Sequence, residues 1–183
     1  NDRLVRRGVW KKGIGKDLHN STVGVIGLGA IGRAVAKRLK GFGCNILAND
    51  FVYDENFVAE YGIKKARLEE IYKEADFITL HLPALDKPLL DDEAFEAMKD
   101  GVIIINTARA ELIDRDALLR ALENKKIYGA GLDVHYDEPN IDQEFLEFEE
   151  VVLTPHCAAT AESAINNMSY MAAKNVVDFF KGE

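Results

Sequence analysis

Short apolar runs alternate with helical periodicity along most of this chain. Thr22 to Ile26 is a short apolar run ending in glycines, which predicts a buried strand. Ile31, Ala34, Val35 and Leu39 then recur at helical spacing, and Gly41 to Gly43 stops that helix. Asn45 to Ala48 predicts a second strand. Asp54 to Tyr61 predicts a helix with Gly62 just past its end, and Leu68 to Lys73 a helical turn or two. A third major strand follows at Phe77 to His81, then a helix at Glu93 to Lys99 and a β-branched strand at Val102 to Asn106. Asp114 is placed to N-cap a helix running to Asn124, with Leu118, Leu119 and Leu122 on its apolar face. Tyr128 to Asp133 and Val151 to Leu153 predict two more strands. The last segment sets Ile165, Met168, Ala172, Val176 and Phe179 on one helical stripe.

Strands alternating with helices predict an α/β fold, a doubly wound parallel sheet with helices on both faces. The first twenty residues are glycine-dotted and poorly periodic, and the chain begins with Asn1. The expectation is a connector arm over 1–20, a single domain over 21–183, and a piece of a longer polypeptide. No internal repeat or low-complexity tract interrupts the pattern.

Composition narrows the function classes. A net charge of -8 disfavours nucleic-acid binding, since the only basic cluster is Arg3, Arg6, Arg7, Lys11 and Lys12 in the arm. No apolar run reaches the length of a membrane span, and the start has no signal-peptide pattern. Cys44 and Cys157 are too few for a disulfide framework, and the four histidines stand at no metal-ligand spacing. The expectation is a reduced, cytoplasmic, metal-free protein.

Gly27-Leu28-Gly29-Ala30-Ile31-Gly32 is a GxGxxG between a strand and a helix. There Gly27 can make the tight turn, Gly29 can admit a pyrophosphate to the backbone, and Gly32 can let helix pack closely on strand. Free N–H groups at the helix start would hold the phosphates. Asp50, about twenty residues beyond at the end of the second strand, is placed for the adenosine ribose hydroxyls and would repel a 2′-phosphate. No Arg or Lys stands between Phe51 and Ile63, which favours NAD over NADP. Together these predict a Rossmann dinucleotide site; the competing reading is a plain tight connection with Asp50 capping a loop.

The rest of the chain carries more specific motifs. Ala75 to Pro83, Asn106-Thr107-Ala108-Arg109, Gly131-Leu132-Asp133-Val134 with Glu138-Pro139, and Thr154-Pro155-His156 resemble, in that order, the D-isomer-specific 2-hydroxyacid dehydrogenase family. The resemblance covers nearly everything from residue 21 onward, and Arg7 to Trp10 resembles the family's lead-in to this domain. It implies three catalytic residues. Arg109 would grip a substrate carboxylate and polarise its carbonyl, His156 would be the general acid or base, and Glu138 would orient His156. It also implies cofactor contacts: Ala30 and Ile31 at the pyrophosphate, Leu82 and Pro83 flanking adenosine, Thr107, Ala108, Arg109 and His156 near the nicotinamide, and Asp133 at its carboxamide. His81 is read as a structural wall of the pocket.

This chain departs from the family in three places. Ala30 stands where many members have Arg, leaving the backbone and Arg33 for the pyrophosphate; Ala110 replaces a glycine after Arg109; and Cys157-Ala158-Ala159 is a variant stretch. The family's second lobe, which closes on a 2-hydroxy or 2-keto acid, is expected to be largely absent, so activity alone should be low. A homodimer is implied by the resemblance. An NAD-sensing dimeric or corepressor-type module is the competing function. A methyltransferase is disfavoured, because Arg109, Asp133 and His156 would then have no purpose.

Overall fold

The computed structural model of the chain describes residues 2–182. The strands are β1 (Thr22–Ile26), β2 (Asn45–Asn49), β3 (Lys64–Lys65), β4 (Phe77–Leu80), β5 (Val102–Asn106), β6 (Ile127–Leu132) and β7 (Val151–Leu153). They form one sheet in the order β3-β2-β1-β4-β5-β6-β7, and every pairing in it is parallel. The order reverses between β1 and β4, the switch point at whose carboxyl ends a ligand crevice opens in such folds. This is the expected doubly wound Rossmann architecture.

The helices are α1 (Asp2–Arg6), α2 (Ala30–Lys40), α3 (Glu55–Tyr61), α4 (Leu68–Glu74), α5 (Asp92–Ala97), α6 (Arg115–Glu123) and α7 (Glu162–Lys181). Short aspartates start three of them. Asp54 accepts from Phe57 N–H, Asp91 from Ala94 N–H and Asp114 from Ala117 N–H, each satisfying a donor that the first turn leaves unpaired. Capping by Asp91 explains why α5 begins at Asp92, one residue before the apolar pattern predicts it.

Two elements differ from expectation. The pair Lys64–Lys65 is a strand on the sheet edge beside Leu47 and Ala48, and two exposed lysines give no periodic apolar signal. The arm, expected to be irregular, contains α1, with Arg6 paired to Asp2 one turn away. The arm then runs to the amino end of the sheet, where Tyr128 Oη donates to the Ile14 carbonyl (2.7 Å) and Lys16 donates to the Gly101 carbonyl.

The core lies on both faces of the sheet. Ile71, Ile78, Leu80, Leu90, Phe95 and Leu118 are buried with α4, α5 and α6 on one face; Val23, Val25, Ala36, Ile46 and Ala48 are buried with α2 and α3 on the other. Cover on the second face stops short of β5–β7: Ile103 and Ile105 are only partly buried there, and Val152 is 63% exposed. The helix α7 forms where its periodicity predicts, yet none of its residues is buried, and Phe179 is 78% exposed. Its apolar stripe meets no matching surface among the described residues.

Close packing of α2 on β1 sets the glycine turn. A Cβ at Gly32 would lie 1.9 Å from the Gly27 carbonyl oxygen, a backbone atom with no rotamer to yield. We expect Gly32→Ala to destabilise the fold by about 1–3 kcal/mol and to lower the thermal midpoint by several degrees in a circular-dichroism melt. An unchanged midpoint would contradict this packing.

Candidate active site

The turn after β1 combines a tight bend with an open flank. Gly27 has φ +94°, in the left-handed region that favours glycine. Its N–H donates to the Asn49 carbonyl (2.9 Å), and a Cβ on it would lie 2.5 Å from the His81 carbonyl. Gly29 is the opposite case: exposed, with nothing within 4 Å of where its Cβ would be. It starts α2 without a side-chain cap, and the first turn holds no acidic residue. The orphan N–H groups and the positive end of the helix dipole are therefore accessible to an anion.

Asp50, half-buried at the end of β2, accepts from Leu28 N–H and from Val52 N–H (3.2 Å). It thus holds the glycine turn against β2 as well as standing beside it. Arg33 is engaged with Asp54 (3.4 Å, both exposed). Leu82 packs partly on the core and Pro83 is exposed just past β4. His81 is bonded to Thr79 Oγ1 (3.1 Å), and burial pushes its imidazole below the ordinary value, as suits a wall residue.

Three further loops leave the same edge of the sheet. After β5, Thr107 and Ala108 lead to exposed Arg109, whose guanidinium donates to the Ala108 carbonyl (2.6 Å). Between β6 and β7 lies Glu138, and just beyond β7 is His156. Their side chains meet, with Nδ1 of His156 2.8 Å and 3.0 Å from the two Glu138 oxygens. The His135 N–H also donates to Glu138 (3.0 Å). The bond from His156, and then that from His135, hold the Glu138 carboxyl below its ordinary value. With Nδ1 committed to a carboxylate, Nε2 is the ring nitrogen left free for proton exchange.

Arg109, Glu138 and His156, the three expected catalytic residues, line one open cleft of ≈ 380 Å³ with Glu111, His135 and Tyr136. Asp133 is 3% exposed and accepts from Thr154 Oγ1 (2.5 Å), Cys157 N–H (2.9 Å) and Ala158 N–H (2.9 Å). Burial would raise its carboxyl; these donors outweigh burial and hold it below the ordinary value. Three residues of the site went unassigned from sequence. Asn106 braces the Arg109 loop, His135 donates to the Thr154 carbonyl (2.9 Å), and Thr154 binds Asp133. Asn106 and Thr154 stood inside motifs already noted, whereas His135 carried no signal of its own.

Residues 1–158 match the D-isomer specific 2-hydroxyacid dehydrogenase, NAD binding domain. The chain belongs to this family. A glyoxylate reductase of Korarchaeum cryptofilum is 39% identical over 191 residues, spanning 100% of this chain and 58% of that protein. A D-3-phosphoglycerate dehydrogenase of Rattus norvegicus is 38% identical, spanning 98% of this chain and 34% of the relative. The solved D-lactate dehydrogenase of Aquifex aeolicus, complexed with NAD and lactic acid, superposes with a TM-score of 0.90 at 33% identity. That superposition covers 99% of this chain and 60% of the solved one. The chain thus spans little more than half the length of the reductase it matches, and NAD is the cofactor of its family. Among the described residues no helix is long and apolar enough to cross a membrane.

The depressed carboxylates set an acid limit on this site. Asp133 and Glu138 bind fewer protons folded than unfolded, so their contribution is fully present above the ordinary carboxylate range and is lost as pH falls below about 4. Melts from about pH 6 to about pH 3 should show the thermal midpoint falling with acid, and Asp133→Asn should flatten part of that slope. Identical slopes in variant and parent would contradict a depressed Asp133.

Proposed function

We propose that this chain is the cofactor half of an oxidoreductase that moves a hydride between NAD(H) and a D-2-hydroxy acid/2-keto acid pair. The observation that carries the reading is one cleft, on the sheet edge that also bears the glycine turn, lined by Arg109 and by the Glu138–His156 pair. Glu138 fixes the His156 ring so that Nε2 faces proton transfer. During reduction Arg109 binds the carboxylate and polarises the carbonyl, and His156 gives its proton to the carbonyl oxygen. In oxidation His156 takes that proton back. NAD supplies or accepts the hydride when bound.

The residues fit that cofactor. Open space at Gly29 and the uncapped start of α2 suit a pyrophosphate against Gly27, Gly29, Ala30, Ile31 and Gly32. Asp50 suits the ribose hydroxyls and disfavours a 2′-phosphate. Leu82 and Pro83 would flank the adenosine, with Thr107, Ala108, Arg109 and His156 toward the nicotinamide. Asp133, at the end of β6 beside these loops, would accept from the carboxamide N–H in addition to the donors it already holds.

Residues 21–183 form the cofactor domain and 1–20 its connector to a substrate lobe. The arm has six Lys and Arg against two Asp, in a chain with 23 basic and 31 acidic residues. It also leaves Trp10 86% and Ile14 92% exposed. An acidic body offers such an arm a complementary surface, which supports a homodimer. The proposed substrate is a small 2-keto or 2-hydroxy acid and the proposed compartment the cytoplasm.

Titration of the chain with NADH, followed by fluorescence, should saturate, and NADPH should bind more weakly. Asp50→Ala should weaken NADH about tenfold or more. Gly29→Ala should weaken it while leaving the thermal midpoint unchanged, since its Cβ enters open space. Absence of binding at millimolar NADH, or equal binding of NADPH, would contradict the reading. Assays with 2-keto acids should give slow turnover, because carboxylate binding and exclusion of water need the other lobe; rates like those of a whole enzyme would show that lobe dispensable.

A further inference from the structure

We propose that Asn106 and Asp133 are positioning residues: two buried side chains at adjacent strand ends that tie the Arg109 loop and the His156 loop to one rigid ladder. This rests on the oxidoreductase reading of the same cleft and names what sets the separation of its two working groups. Neither residue lines the cleft. Asn106, the last residue of β5, is 1% exposed, and both ends of its amide are used. Its Oδ1 accepts from Ala108 N–H (3.0 Å) and its Nδ2 donates to the Arg109 carbonyl (2.8 Å). The backbone on either side of Arg109 is thereby fixed to the strand that precedes it.

Asp133 does the same for His156 from the next strand. His156 has φ +50°, a conformation L side chains seldom adopt, and its N–H turns back to the Thr154 carbonyl (3.0 Å). That bend delivers the next two N–H groups, of Cys157 and Ala158, to the Asp133 carboxylate, and the Thr154 hydroxyl joins them. The two posts are themselves joined, because Asp133 N–H donates to the Asn106 carbonyl (3.0 Å) across the β5–β6 ladder. Buried polar groups held by several internal partners at once favour a single geometry, and removing one partner strands the rest. The chain from Arg109 to His156 therefore runs through two side chains and one ladder bond, with little freedom to change length.

The test is nuclear magnetic resonance on the whole chain, with NADH titration in parallel. The parent should show a downfield Nδ1 proton on His156, shared with Glu138, and slow exchange of the Ala108, Cys157 and Ala158 amides. Asp133→Asn should speed exchange at Cys157 and Ala158 by about tenfold or more and abolish the downfield signal, while Ala108 stays slow. Asn106→Ala should do the converse, freeing Ala108 with the His156 signal kept. Thr154→Val removes one donor to Asp133 and should weaken the signal, and Thr154→Ser should restore it. A role in folding alone would lower the thermal midpoint and leave the His156 signal intact. Folded Thr154→Val with the parent's signal and exchange rates would overturn the proposal, even if Asp133→Asn does not fold. Failure of the parent to bind NADH would count against the oxidoreductase reading, with the clamp still judged by the resonances.

Discussion

In a wholly parallel ladder every strand runs the same way, so the carboxyl ends of β1, β4, β5, β6 and β7 emerge along one edge. The geometry of the candidate site depends on that constraint. The glycine turn, Asp50, the Arg109 loop, Glu138 and His156 come from widely separated stretches of chain, and they share an edge because their strands share a direction. The reversal of strand order between β1 and β4 then opens the crevice where neighbouring connections part to opposite faces. Gly27, where any side chain would meet the His81 carbonyl, stands at that switch point.

The interactions that place Arg109, Glu138 and His156 differ from those that stabilise the fold. Stability comes from apolar burial on the two faces, with Ile71, Ile78, Leu80, Leu90 and Ile104 fully enclosed. The His156–Glu138 pair is substantially exposed, at 51% and 37% of its side-chain surface, so it contributes little to stability and much to ring orientation. Behind it stand the buried polar groups Asn106 and Asp133, whose hydrogen bonds are all internal. In the proposed site, exposed side chains stand on loops tied by buried polar groups.

Much of this was legible in the residues. β1, β5 and β7 lie where their apolar runs predicted them, and Asp114 caps its helix as its position implied, whereas Asp54, read as the first residue of a helix, caps it instead. Arg109, Glu138 and His156, expected together from motif order, line one cleft. The signals that failed did so for physical reasons. The strand Lys64–Lys65 takes its shape from pairing with β2, which two charged residues do not announce. The stripe on α7 reads as a buried face, but burial needs a second surface, and the described residues supply none. Nor could sequence show that Asp50 and Asp133 spend acceptor capacity on loop N–H groups, because those contacts depend on where distant backbone turns.

In the proposed complex a dinucleotide lies across this edge from the glycine turn to the Arg109–His156 cleft. Intermolecular nuclear Overhauser effects between bound NADH and the isotope-labelled chain test it most directly. Contacts are expected from adenine protons to Leu82 and from nicotinamide ring protons to Ala108 and His156. Adenine contacts at Leu82 with the nicotinamide ring near neither Ala108 nor His156 would contradict it, as would a bound cofactor whose contacts lie elsewhere on the fold.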